Sequence, residues 1–145
     1  MAKRVPTRVA CGIGLGAGLI AALVFYFNFH TVIVQGMSME PTFHTGQKVL
    51  VSKAYWLIGP IRDNDIVVAK DTVPGQYIIK RVYKMGGERV DYTYAPKSWS
   101  LALGDYTVPA GTLYLLGDNL EVSEDSRSFG PVDVSKVLGK VVILK

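Results

Sequence analysis

The feature that most constrains this chain is an apolar run near its start. Residues 9–27, VACGIGLGAGLIAALVFYF, carry no charge and no strongly polar side chain. A helix of this length is about long enough to cross a hydrocarbon core of roughly 30 Å. The run therefore predicts one transmembrane helix over residues 9–28. A cleaved secretory signal peptide is the alternative, but the run is long for one and no convincing small-x-small cleavage site follows it.

The charges beside the run predict its orientation. Lys3, Arg4 and Arg8 precede it without an acidic residue, whereas residues 28–35 carry no Lys, Arg, Asp or Glu. The positive-inside rule then places the N-terminus in the cytoplasm. The predicted organisation is a cytoplasmic flank over residues 1–8, a single-pass anchor in the cell membrane over 9–28, and an extracytoplasmic domain over 29–145.

Charge and cysteine content argue against several classes of protein. The formal net charge is +4, but the three basic residues of the flank leave 13 of the 16 basic residues against 12 acidic ones. No basic cluster follows residue 8, so no nucleic-acid partner is predicted. The single cysteine, Cys11, lies inside the apolar run. This excludes a disulfide framework and a Cys-rich metal site, and no metal or cofactor is predicted.

Beyond the predicted anchor, short apolar stretches alternate with Gly, Pro, Asn and Asp. No repeat and no amphipathic helix of useful length is present. Candidate strands cover residues 30–35, 48–53, 65–70, 76–83, 88–92, 111–116 and 138–143. This spacing predicts a mainly β domain built from a small, partly closed, antiparallel β-barrel-like sheet.

Ser38 stands in a turn motif just past the predicted anchor, within VIVQGMSMEPTF at residues 32–43. A serine is a poor nucleophile until a neighbouring base takes its proton. His30 at the membrane boundary and His44 in a turn are candidate bases, but both positions are also typical of solvated histidines. A Ser-x-x-Lys arrangement is excluded, because Pro41 occupies the third position after the serine. The remaining candidate is a lysine held neutral.

The stretch QYIIKRVYK, residues 76–84, contains such a lysine. In a strand, Lys80 shares one face with Ile78 and Val82, while Ile79 and Arg81 point to the other. Burial between apolar neighbours lowers the pKa of a lysine and makes it a usable base near neutral pH. A surface lysine lying along the sheet is the alternative interpretation.

A polar stretch, LGDNLEVSEDSRSFGPV at residues 116–132, completes the set of motifs. Its composition is typical of a solvated loop. Asp125 and Arg127 are also spaced to pair, and Ser123 or Ser126 offers a hydroxyl that a neutral lysine needs to orient its lone pair.

Together these motifs resemble type I signal peptidases, the membrane-anchored serine proteases that remove signal peptides from exported proteins. The resemblance covers essentially the whole chain in the right order: an anchor, GMSMEPT, NDIVVAK, YIIKRV and GDNLEVSEDSRSFGPV. It implies that Ser38 is the nucleophile, Lys80 the general base, and Ser123 the hydroxyl that positions the lysine. Two ion pairs are implied as supports, Asp125 with Arg127 and Asp118 with Arg81.

The resemblance also implies a substrate. Preproteins with small residues immediately before the cut and two positions earlier would bind in shallow apolar pockets, and the lipid bilayer would be a second partner. Gly36 stands where some relatives carry a serine that stabilises the oxyanion, so the second oxyanion donor stays open. The matching wall residues are Val34, Gln35, Gly36, Met39, Phe43, Ile78 and Ile79.

Several alternatives remain open on sequence alone. A conjugation-type or mitochondrial-inner-membrane-type processing peptidase with a dedicated substrate would carry the same motifs. Self-cleaving repressors of the SOS response use a Ser-Lys pair but lack an anchor, and a membrane-tethered binding module would not need both Ser38 and Lys80. The apolar residues Trp56, Leu57 and Ile58 fit either a membrane-facing patch or the core. The motifs leave the oligomeric state open.

Overall fold

A computed structural model describes residues 7–142 of the chain. The predicted flank residues Lys3 and Arg4 lie outside the described residues, as does Leu144 beyond the last strand. The helices and strands are α1 Thr7–Asn28, β1 Phe29–Ile33, β2 Lys48–Ser52, α2 Tyr55–Ile58, β3 Ile66–Lys70, β4 Tyr77–Met85, β5 Arg89–Val90, β6 Tyr106–Thr107, β7 Thr112–Leu116, α3 Ser126–Phe129, β8 Val132–Asp133 and β9 Val137–Val142.

The strands form one large antiparallel sheet and one small one. Seven strands follow the order β1-β2-β9-β3-β4-β7-β8, and β5 pairs with β6 in a separate two-stranded sheet. The large sheet curls into a half-barrel, whose edge strands β1 and β8 do not pair with each other within the described residues. The prediction of a mainly β, partly closed antiparallel domain is therefore confirmed.

Each of the seven candidate strands corresponds to an observed strand, with ends that differ by a few residues. Two strands, β6 and β8, were not predicted, because two residues are too few to show an alternating pattern. The one-turn helices α2 and α3 were missed for the same reason. Trp56 and Leu57 of α2 are 74% and 61% exposed, so they do not belong to the core.

Strand β3 shows how the sheet is stabilised on both faces. Ile66 and Val68 pack into one hydrophobic cluster and Val67 and Ala69 into another, and all four are buried. Successive side chains of a strand point to opposite faces, so a strand covered on both sides is apolar throughout. The unbroken run IVVA therefore marks the centre of the fold, next to β4.

The predicted membrane anchor, residues 9–28, lies within helix α1. Among the residues whose side chains the structure describes, which for α1 begin at Gly16, no helix is long and apolar enough to cross a membrane. Near its end, α1 exposes large apolar side chains, among them Leu19, Ile20, Phe25 and Phe27.

Gly139 lets β9 lie close to β2 where β9 passes between β2 and β3. A Cβ atom at this position would lie 2.7 Å from the carbonyl oxygen of Ser52 and 2.8 Å from Cγ1 of Val51. Both distances are too short for carbon, so a side chain here would force two central strands apart.

We expect Gly139→Ala to lower the free energy of unfolding by about 1–3 kcal/mol, the usual range for overpacking a core. Urea unfolding followed by circular dichroism measures the change. Gly18→Ala is the matched control, because a Cβ there meets no atom within 4 Å. A Gly139→Ala protein as stable as the parent would contradict this account of the β2–β9 contact.

Candidate active site

Ser38 lies in a turn that follows β1 and is fixed by its buried neighbours. Met39 and Phe43 are 0% and 4% exposed and join the core, and the Phe43 amide donates to the Met39 carbonyl at 2.9 Å. Gly36 has φ +82°, a left-handed conformation that glycine adopts without strain. Apolar side chains on one side and a glycine on the other thus hold Ser38 at the edge of a cleft.

Lys80 lies at the centre of β4 and is almost completely buried, with 4% of its surface exposed. It pairs with Val67 of β3 across the sheet. Its Nζ lies 2.7 Å from Oγ of Ser38, a hydrogen-bond distance between two residues 42 positions apart. The fold therefore brings together the serine and the lysine that the sequence singled out.

The environment of Lys80 favours a neutral amine. Burial lowers the pKa of Lys80 below its ordinary value, and the more distant carboxylates of Asp125, Asp71 and Glu124 only partly oppose this effect. Among the described residues, no carboxylate lies within 4 Å of its Nζ. A neutral amine has a lone pair, so it can accept the proton of the serine hydroxyl.

Asp125 and Arg127 form a buried ion pair beneath the 116–132 loop. Arg127 Nε and Nη2 donate to the two carboxylate oxygens of Asp125, each at 2.9 Å, and the Gly117 amide adds a third bond at 3.1 Å. Burial by itself would raise the pKa of the Asp125 carboxyl, but the bonds from Arg127 and Gly117 outweigh it and lower that pKa. Asp125 therefore stays ionised and anchors the loop.

A second ion pair joins the lysine strand to the serine turn. Arg81, next to Lys80, donates from Nε and Nη2 to Asp118 at 2.7 Å each. Thr42 of the serine turn donates to the same carboxylate at 2.5 Å. Burial would raise the pKa of Asp118, yet the hydrogen bonds from Arg81 and Thr42 outweigh it and lower that pKa. Both predicted ion pairs are thus present.

The Ser123 hydroxyl oxygen is buried and makes no hydrogen bond of good geometry within the described residues, although it lies close enough to the Asp125 carboxylate to help lower the pKa of that group. The hydrogen bond that the sequence led us to expect between Ser123 and Lys80 is therefore not made in this conformation. Gly117 explains how the serines come close: a Cβ there would lie 2.1 Å from Oγ of Ser123 and 2.6 Å from the carbonyl oxygen of Ser38. Sequence reasoning quoted Gly117 within a motif but did not assign it this role.

A cleft of 670 Å³ opens beside the Ser38–Lys80 pair. Of the predicted wall residues, Gln35, Gly36, Ile78 and Ile79 line it. The other three, Val34, Met39 and Phe43, belong to the core and do not line the cleft. Lining residues that sequence reasoning did not find are Asp71, Tyr77, Val122, Glu124 and Phe129.

Neither histidine is placed to serve as the base. The His44 side chain is 68% exposed, and its Nδ1 lies 3.4 Å from the Glu40 carboxylate. His30 lies exposed on β1, which pairs with β2 and not with the lysine strand β4. The fold separates both rings from the cleft.

Comparisons with known proteins identify the family of this chain. The family model described as signal peptidase, peptidase S26, matches residues 9–96 and 93–144. A signal peptidase I of Bacillus caldolyticus is 33% identical over 84% of this chain and 82% of its own. The mitochondrial inner membrane protease subunit 1 of Xenopus tropicalis is 37% identical over 87% of this chain and 74% of its own.

A solved structure of a signal peptidase I from Enterococcus faecalis V583 has 28% sequence identity and a TM-score of 0.46, covering 57% of this chain and 97% of that one. The family match and the relatives define a hydrolase, a serine endopeptidase. The chain belongs to the signal peptidase family, peptidase S26.

The burial of Lys80 predicts a pH-dependent effect on stability. The pKa of Lys80 is lower in the folded protein than in the unfolded chain. At pH values between these two pKa values, the unfolded chain therefore binds more protons than the folded protein. In this pH range, Lys80 makes the free energy of unfolding rise with pH. Lys80→Met keeps the apolar stem and removes the titrating amine. We expect the free energy of unfolding of the variant to exceed that of the parent most at low pH. This difference should shrink as the pH rises to the ordinary lysine pKa. Urea unfolding from pH 6 to 10 measures this difference in free energy of unfolding. A difference that stays constant over this range would contradict a neutral Lys80.

Proposed function

We propose that this protein is a membrane-anchored endopeptidase that cleaves N-terminal signal peptides from exported preproteins, with Ser38 as nucleophile and Lys80 as general base. The observation that carries the proposal is the 2.7 Å contact between Lys80 Nζ and Ser38 Oγ, made by a lysine that is 4% exposed. A buried amine with a depressed pKa beside a serine hydroxyl is the arrangement that activates a serine without histidine.

The reaction follows from the positions of these groups. Lys80 takes the Ser38 proton as Oγ attacks the carbonyl carbon of the peptide bond, and the ammonium then protonates the leaving amine. Water hydrolyses the acyl-enzyme with the lysine again as base. The Ser38 backbone N–H donates to no acceptor in the described part of the chain, so it is free to stabilise the oxyanion. Gly36 has no side chain to act as second donor.

Ser123 is proposed to orient the lysine during the reaction. Its hydroxyl is buried without a well-formed hydrogen bond, and it lies with the Ser38 carbonyl on the same side of Gly117. A buried hydroxyl gains from a well-formed hydrogen bond, so a bond to the amine would satisfy both groups. The two ion pairs hold the elements that carry these groups: Asp125 with Arg127 for the loop, and Asp118 with Arg81 for the serine turn and β4.

The cleft fits an extended peptide with small side chains near the cut. Ile78 and Ile79 on β4 and Gly36 with Gln35 after β1 form its two walls beside Ser38. Branched side chains on one wall leave shallow apolar pockets, which favour alanine-sized residues immediately before the cut and two positions earlier.

We further propose that residues 9–28 anchor the domain in the cell membrane, with the N-terminus in the cytoplasm and residues 29–145 outside. The uncharged run and the preceding basic residues support this topology. The Lys53 amide donates to the Asn28 carbonyl at 3.2 Å, so the segment leading into α2 lies beside the end of α1. The exposed Trp56 and Leu57 would then meet the bilayer interface, where tryptophan is favoured.

A second candidate is a processing peptidase with one dedicated substrate. The observation that favours it is the identity of 37% and 33% with mitochondrial inner membrane protease subunits of Xenopus tropicalis and Homo sapiens. Cleavage of several unrelated signal peptides would favour a signal peptidase that acts on many preproteins. Cleavage of one substrate alone would favour a processing peptidase dedicated to that substrate.

Cleavage of a preprotein with an Ala-x-Ala site tests the proposed dyad. Ser38→Ala, Lys80→Ala and Lys80→Arg should each lose nearly all turnover, because the nucleophile is missing or no neutral base is present. His44→Ala is the control and should retain activity. Full-length protein in a nonionic detergent and gel analysis of the product provide the measurement. Equal cleavage by the parent and Ser38→Ala would refute the assignment.

The two tryptophans allow the membrane contact to be tested separately. Trp99→Phe leaves Trp56 as the only tryptophan. Trp56→Phe leaves Trp99, whose indole N–H donates to the Gly104 carbonyl and whose ring packs edge-on against Tyr106 of β6. In vesicles with brominated lipids, we expect quenching of fluorescence from Trp56 and little from Trp99. Equal quenching of both residues, or of neither, would contradict the proposed interface.

A further inference from the structure

The charge of the cleft is not explained by the cleavage chemistry. Apart from Lys80, its charged lining residues are two acids, Asp71 and Glu124. Within the described residues, neither carboxylate has a Lys, Arg or His nitrogen within 4 Å. With Lys80 neutral, the cleft carries negative charge that no group in the described part of the chain neutralises by direct pairing.

The two acids come from different segments of the cleft lining. The Asp71 amide donates to the Gln76 carbonyl at 3.0 Å, so Asp71 faces a position four residues from Lys80 along β4. At roughly 3.3 Å per residue, this is about 13 Å along the strand. Glu124 follows Ser123 in the polar segment that also lines the cleft. An extended peptide bound here would pass both carboxylates.

Asp71 borders the cleft, and its side chain makes hydrogen bonds only to Thr72 among the described residues. Its Oδ1 accepts from the amide and the hydroxyl of Thr72. Lys70 and Lys136 line a separate 70 Å³ cavity that Asp71 also borders, but neither lysine lies within 4 Å of its carboxylate. Glu124 is exposed and borders only the main cleft among the cavities described here. Both acids are therefore available to a charged group of the substrate.

We propose that Asp71 and Glu124 select substrates that carry a lysine or arginine side chain within a few residues of the cleaved bond, and disfavour acidic ones. This inference rests on the proposed function and adds a charge preference to it. The physical basis is attraction between a substrate cation and two carboxylates at the rim of a partly desolvated cleft, where charge complementarity sets specificity more than affinity.

The test is a charge scan of one peptide. Full-length protein in nonionic detergent is incubated with peptides that share the same two core alanines. In each peptide, one of four positions is Lys, Gln or Glu: four or two residues before the cut, or one or two residues after it. At the best position we expect kcat/KM to fall in the order Lys, Gln, Glu, by about two- to fivefold for each carboxylate, the strength of a partly exposed ion pair. Added salt should reduce these ratios.

Matched variants assign the preference to the two acids. Glu124→Gln and Asp71→Asn keep shape and hydrogen-bond acceptors, and each should lower the Lys-to-Glu ratio at the peptide position nearest to it. Glu121→Gln removes an exposed carboxylate from the same loop that does not line the cleft, so it should leave the ratio unchanged.

The outcomes separate this inference from the function on which it rests. Ser38-dependent cleavage with equal rates for the Lys and Glu peptides at every position would overturn the charge preference and leave the peptidase function standing. An unchanged ratio in both Glu124→Gln and Asp71→Asn would overturn the assignment to these residues. Failure to cleave any peptide would overturn the proposed function and the charge preference together.

Discussion

The active-site architecture depends on the burial of one amine. Lys80 lies in the middle of β4, against Val67 of β3, with 4% of its surface exposed and its Nζ 2.7 Å from Ser38 Oγ. Desolvating a charged ammonium is costly, so the group is driven to lose its proton, and the pKa of Lys80 is lowered for this reason. The two-sided packing of the sheet therefore creates the chemical property as well as the geometry of the site.

The charged groups of the site are arranged so that they do not undo this effect. The two ion pairs, Asp125 with Arg127 and Asp118 with Arg81, pair carboxylates with guanidinium groups and hold loops and strands in position. Asp125 therefore acts on Lys80 only at a distance, because its oxygens are taken up by Arg127 and the Gly117 amide. The two ion pairs therefore lie near the Lys80 amine, but neither carboxylate pairs directly with it.

The sequence predicted the positions of residues correctly where a pattern repeats along the chain or where a residue type has few structural roles. Alternation in QYIIKRVYK correctly placed Lys80 with apolar neighbours, and the spacing of Asp125 and Arg127 anticipated their ion pair. The pattern could not separate core from cleft, because both are lined by apolar residues: Met39 packs inside while Ile78 lines the opening. Gly117, Asp71 and Glu124 were missed because their roles arise from contacts between elements far apart in the chain.

The state of Lys80 is the central claim, and its direct measurement is a titration of the amine by NMR in full-length protein with isotope-labelled lysine side chains. Lys80→Met identifies the resonance by its absence. Burial predicts that this lysine titrates at a clearly lower pH than lysine side chains exposed to solvent. A titration that coincides with that of the exposed lysines would show a charged amine beside Ser38 and would contradict the proposed general base.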